Sequence, residues 1–141
     1  MQSRRNFLIF AIVALLTTPI VLITNHRYPR KEIKPFPDMT ISLEKVNGHW
    51  QVVGHQYPNI YGKGAIKYIE AFPVDDQVPD TYLWRTNGYA HAGLYDEAIK
   101  TQTKMISLME SASNKSLLKD ELVEAKKHLA ELRVLKKSSS P

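Results

Sequence analysis

Hydrophobic residues are spaced along this chain in three different ways. From Phe7 to Ile23 they form an uncharged run, FLIFAIVALLTTPIVLI. As a helix rising about 1.5 Å per residue, the run with Thr24 reaches roughly 27 Å, close to the thickness of a bilayer's hydrocarbon core. From Met39 to His55 apolar and polar residues alternate, as along half-buried strands. From Asp80 onward apolar positions recur at steps of three and four, the period of amphipathic helices. The pattern predicts an α+β, mostly helical chain: an N-terminal transmembrane helix, a β-hairpin, a helical hairpin and a long amphipathic helix. Residues 1–25 form the anchor, 26–38 a stalk, 39–137 a small soluble domain and 138–141 a disordered tail.

The alternating segment is the most specific. Met39–Val46 and His49–His55 flank Asn47-Gly48, the pair preferred in a two-residue type I′ turn. Folding there sets Lys45 opposite Trp50, Leu43 opposite Val52 and Ile41 opposite Gly54. One face then carries Ile41, Leu43, Trp50 and Val52; the other carries Ser42, Glu44 and Gln51, with Val46 and Val53. A lone hairpin is marginal in water, so the helices must cover its apolar face. Residues 26–38 hold three prolines among basic groups and read as a stiff, extended stalk. Ala65–Phe72 is ambiguous between a third strand and a short helix with Ile66, Ile69 and Ala71 inward; helix is the preferred reading. Residues 73–79 form an acidic loop.

Asp80 is the expected N-cap of a helix that Gly93 ends. A second helix begins near Tyr95-Asp96-Glu97, whose acids suit the positive end of a helix dipole, and buries Ala98, Ile99, Gln102, Met105 or Ile106, and Met109. Here the chain resembles one tetratricopeptide repeat, through Tyr89, Gly93, Tyr95 and Ala98 and the string Gly93-x-Tyr95-Asp96-Glu97-Ala98-Ile99. The resemblance covers residues 82–110 and implies two antiparallel helices. A solenoid would need about three such units, so a single hairpin is expected. In residues 115–137, Leu118, Leu122, Ala125, Leu129 and Leu132 make a heptad-like seam, which either closes the core or docks another protein.

Ser3-Arg4-Arg5-Asn6-Phe7-Leu8 resembles the twin-arginine export signal, with Arg4, Arg5, Phe7 and Leu8 at its specified positions. Such signals are receptor-read addresses whose substrates cross the bacterial inner membrane folded. The alternative is an ordinary signal-anchor preceded by two arginines. A cleaved secretory signal would need a shorter apolar core and a small-x-small site, and none follows Thr17-Thr18-Pro19. Flanking charge is divided: Arg4 and Arg5 favour a cytoplasmic N-terminus, whereas Arg27, Arg30, Lys31 and Lys34 outnumber Glu32 on the other side. The twin-arginine resemblance implies a single-pass inner-membrane protein with a periplasmic domain.

The chain has 141 residues, a net charge of +5 and no cysteine. Disulfides, thiolate metal sites and C-x-x-C-H haem attachment are thereby excluded. Arg27, Arg30, Lys31 and Lys34, beside the anchor, suit anionic lipid headgroups of the bilayer. No nucleic-acid-binding signature is present. The five histidines show no metal-ligand spacing, and no Walker, nucleophile-elbow or calcium-loop pattern occurs. No catalytic residue, cofactor or metal is therefore expected.

Aromatic residues concentrate between Tyr57 and Tyr95 instead. Exposed Tyr and Trp are favoured interface anchors, which makes Tyr82, Trp84, Tyr89 and Tyr95, with Leu118, Leu122 and Leu129, the candidate partner-binding residues. The expected function is a non-catalytic accessory subunit or assembly factor whose partners are other subunits of an inner-membrane complex. The alternative is a periplasmic small-ligand-binding or electron-transfer helper, with Tyr57, Tyr61 and His55 lining a cleft between hairpin and helices.

Overall fold

The computed structural model describes residues 28–139. The anchor with Arg4, Arg5, Phe7 and Leu8, and also Arg27, lies outside the described residues. Among the described residues no helix is long and apolar enough to cross a membrane. The described residues form an α+β fold: a three-stranded antiparallel sheet followed by four α-helices.

The strands are β1 (Arg30–Phe36), β2 (Met39–Val46) and β3 (His49–Gln56), in the order β1-β2-β3. The expected turn joins β2 to β3, with φ of 50° at Asn47 and 84° at Gly48, the left-handed pair that type I′ requires. Lys45 faces Trp50 and Leu43 faces Val52, as the alternation predicts. Beyond them the register shifts. Val53 is the extra residue, so Ser42 meets Gly54 and Ile41 meets His55, not Gly54. With this bulge the ring of His55, an exposed residue, meets those of Tyr57, Phe72 and Trp84.

The stalk expectation is corrected: most of residues 26–38 folds back as β1. Ile33 pairs with Ile41 and Phe36 with Met39, with the irregularity between them. Pro35 falls within that irregularity. On an edge strand its missing N–H costs no inner ladder bond, so the prolines do not prevent pairing.

A 3-10 turn, Gly62–Ala65, leads into the short helix α1 (Ile66–Glu70). The helical reading holds, but its inward face differs. Tyr68, Ile69 and Phe72 are buried, whereas Ile66 and Ala71 are half-buried. Arg85 binds the end of α1, its Nη2 donating to Glu70 O at 2.8 Å and to Phe72 O at 2.9 Å. These are carbonyls a helix end leaves without partners.

A second 3-10 turn, Pro79–Thr81, precedes α2 (Tyr82–His91), and α3 (Tyr95–Ser111) follows. Asp80 is therefore not the N-cap. Thr81 precedes α2 and makes no capping bond; its hydroxyl donates to Val78 O and accepts from the Asp75 N–H, both at 2.8 Å. Gly93 does end α2. It has φ of 75°, with Gly93 N–H bonded to Ala90 O and Leu94 N–H to Tyr89 O, the paired bonds of a Schellman motif. Gly88 lets α2 approach α1: a Cβ there would stand 3.1 Å from Ile69.

Helix α4 (Lys119–Ser139) starts later than expected and runs through Ser138 and Ser139, which the sequence assigns to a disordered tail. Its seam closes the core. Ala125 packs with Met105, Ile106 and Met109, flanked by Tyr82, Leu118, Leu122 and Leu129. Leu132 joins a second cluster with Ile69, Tyr89 and Ala98. The third lies under the sheet, where Met39, Ile41, Leu43 and Val52 meet Tyr68 and Phe72.

Candidate functional site

Four elements leave a groove of about 670 Å³ between them. Val52 and Gln51 of β3 close one side. Leu83 and Trp84 come from the first turn of α2, just after Asp80. Met105 and Met109, one turn apart on α3, form the floor with Gln102. Asp120, Glu121 and Glu124 stand along α4, whose Ala125 and His128 complete the wall.

Each contributor is held by its local structure. The Trp84 ring lies 4.9 Å from the His55 ring, edge to face, and 6.2 Å from Phe72, nearly parallel. These two ring contacts limit its rotation. Gln102 is fully buried; its Nε2 donates to Ala125 O at 2.9 Å, tying α3 to α4. Its Oε1 has no hydrogen-bond partner among the described residues. An unpaired buried acceptor costs about 1–3 kcal/mol, so Gln102 is an unusual choice for a floor otherwise made of methionine and alanine.

The electrostatics of the groove oppose those of the chain. The whole protein carries +5, yet four carboxylates and no lysine or arginine line this surface. Asp80 is pushed above the usual carboxylate range, first by desolvation and second by the charge of Glu121. Carboxylates crowded over an apolar floor favour an arriving positive charge.

The acidic loop before α2 is tied to β3, α2 and α3. Asp75 accepts from the Gln77 N–H at 2.8 Å and from His49 Nδ1 at 3.0 Å, bonds that hold its carboxyl below the usual range in that order of importance. Asp76 accepts from the Tyr82 hydroxyl and, at 3.2 Å, from Lys104. Burial and then the Asp76 bond push the Tyr82 hydroxyl up to about 12.

The sequence-expected partner residues do not form one surface. Trp84 enters the groove wall and Tyr82 is occupied with Asp76. Tyr89 is a correction: it is buried in the core, its hydroxyl 3.3 Å from Glu70, and burial pushes its ionisation up. Tyr95 is half-buried beside that cluster. Leu118, Leu122 and Leu129 face α3. The cleft expected from Tyr57, Tyr61 and His55 is also corrected. His55 and Tyr57 stack at 4.9 Å, but Tyr61 pairs with His91, and none of the three lines the groove. The basic candidates occupy β1: Arg30 pairs with Glu44 at 3.0 Å, Lys31 lies over Trp50, and Lys34 is exposed.

Outside the groove, α4 carries a second feature. Val123 and Val134 are 58% and 65% exposed, and Ala130 between them is exposed too. The spacing puts all three on the side of α4 turned away from its buried seam, with the exposed Lys127 between Val123 and Ala130. Residues 133–139 are all exposed, so the helix continues beyond its last buried residue, Leu132. Sequence periodicity directs attention to the leucine seam and conceals this outer strip. Gln102, a polar residue on an apolar stripe, is the one sign of the groove visible in the sequence. Among the described residues no three His, Asp or Glu side chains group closely enough to hold a metal ion. No protein-family model, curated protein or solved structure matches this chain.

Proposed function

We propose that this protein is a non-catalytic, membrane-anchored accessory subunit or assembly factor of a larger inner-membrane complex, respiratory, photosynthetic or secretory. Its anchor is the Phe7–Ile23 run and its working part is the helical domain, placed in the periplasm. The observation that carries this reading is the outer strip of α4. Val123, Ala130 and Val134 are exposed apolar side chains on one side of a helix that outruns its own core, with Lys127 among them and Arg133 and Lys137 beside their far end. Such a strip suits an apolar helix with acidic flanks, presented by another subunit. Confinement to the membrane raises the effective concentration of such a partner without any added contact. The tetratricopeptide-like reading of α2 and α3 fits the same role, with α4 as the exposed last layer of a short helical stack.

Gentle detergent extraction of the full-length chain tests it. A stable multi-protein assembly is expected, lost when Val123→Asp and Val134→Asp are combined while the melting temperature is kept. An assembly that survives the double substitution, or full-length chain recovered in the aqueous fraction, overturns the reading.

A further inference from the structure

We propose that the groove between β3, α2, α3 and α4 binds a small organic cation, an ammonium or guanidinium group attached to an apolar body. Three independent features converge on this class. The first is shape and lining. At about 670 Å³ the groove falls in the size range of small-molecule sites, and its apolar surface comes from Trp84, Met105 and Met109. Methionine adapts to irregular apolar bodies, and a tryptophan face attracts cations as well as stacking on apolar groups.

The second feature is charge. Asp80 faces the groove from one wall, and Asp120, Glu121 and Glu124 from the other. Of the four, Asp80, Asp120 and Glu121 have no ion-pair partner among the described residues. Lys126 pairs with Glu110 at 2.7 Å, and Lys127 reaches only Glu124, at 3.8 Å. An anion would meet four like charges here, and a neutral ligand would leave them facing one another. The third feature is Gln102. It is fully buried, it lines the groove, and its Oε1 lacks a donor among the described residues. Oε1 is sealed from solvent as the side chain stands; an ammonium or guanidinium group, with N–H donors to spare, would serve it as Gln102 turns toward the groove. No redox or covalent step is involved.

The site is separate from the outer strip of α4, so the test does not depend on partner docking. The full-length chain in a neutral maltoside detergent is titrated with phenylbutylamine, with its neutral counterpart phenylbutanol and with its anionic counterpart phenylbutyrate. Tryptophan fluorescence and heat are read against empty micelles. The amine is expected to bind about tenfold or more tighter than the alcohol, and the acid not to bind. Combining Asp80→Asn with Glu121→Gln, both at exposed positions, is expected to remove that advantage and leave alcohol binding unchanged. The melting curve checks that the variant is folded. Equal affinity for all three compounds, no response to the amine, or an amine preference that survives the double substitution overturns the proposal.

Discussion

Two buried side chains carry unpartnered oxygens among the described residues, Thr86 Oγ1 and Gln102 Oε1, and they call for opposite treatment. Thr86 is fully enclosed and does not line the groove, so its hydroxyl is a cost without a use. Thr86→Val keeps the shape and removes the orphan; a gain of about 1 kcal/mol in unfolding free energy is expected, seen as a higher denaturant midpoint. Asp80 supplies a pH signature. Its folded-state pKa is raised, so the native chain holds that proton more tightly than the unfolded chain. The stabilisation from protonating it is present below the ordinary carboxylate value and is lost as pH rises through the raised one. Asp75 and Asp76 are shifted down, and their stabilisation is lost only as pH falls through their lowered values. Wild type should therefore gain stability relative to Asp80→Asn on moving from neutral into mildly acidic buffer. Parallel stability curves for the two proteins would remove Asp80 from this account.

At the level of elements, what could be read from the sequence was what is encoded over a few neighbouring residues. Asn47-Gly48 specifies its turn by left-handed backbone, and Gly93 stops α2 in the same way. Strand β1 escaped because its prolines read as a stiff stalk, whereas its turn at Pro37-Asp38 onto the adjoining β2 is favoured by Ile33 and Phe36 packing on the sheet's core. The inward face of α1 escaped for a related reason. A helix this short has no periodicity of its own, and Arg85 and the sheet decide which side is covered. The α4 seam, with its longer repeat, was legible. Leu132 is the residue that joins it to α1 and α2, with 1% of its surface exposed. Leu132→Ala is expected to cost about 2–5 kcal/mol, seen as a large drop in melting temperature. A drop no larger than that for an exposed leucine would mean that α4 is not anchored there.

At the level of the molecule, the groove exists only after four separate segments have been assembled, and beyond Gln102 no local pattern announces it. Asp80 reads as a cap, Met105 and Met109 as ordinary core, and Asp120 to Glu124 as a solvated helix start. Their meeting is a product of the α2–α3 hairpin packing against α4. The surface therefore divides into zones of different character. A basic edge follows β1, an acidic hollow lies between the helices, and a mixed apolar and basic strip runs along the far side of α4.

The folding of β1 into the sheet also sets how far the domain can stray. With the Phe7–Ile23 run embedded as proposed, only Thr24 to Pro29 lie between lipid and the first strand residue, a leash of roughly 20 Å even when taut. The domain would ride close against the headgroups with Arg30, Lys31 and Lys34 nearest to them, and its tumbling would be restricted to a narrow cone. Any partner would then meet α4 in a nearly fixed posture. Lengthening the leash by about a dozen glycine and serine residues before Tyr28 should widen that cone and lower the yield of co-purified assembly several-fold, with the melting temperature unchanged. An undiminished yield would show that posture is irrelevant to docking.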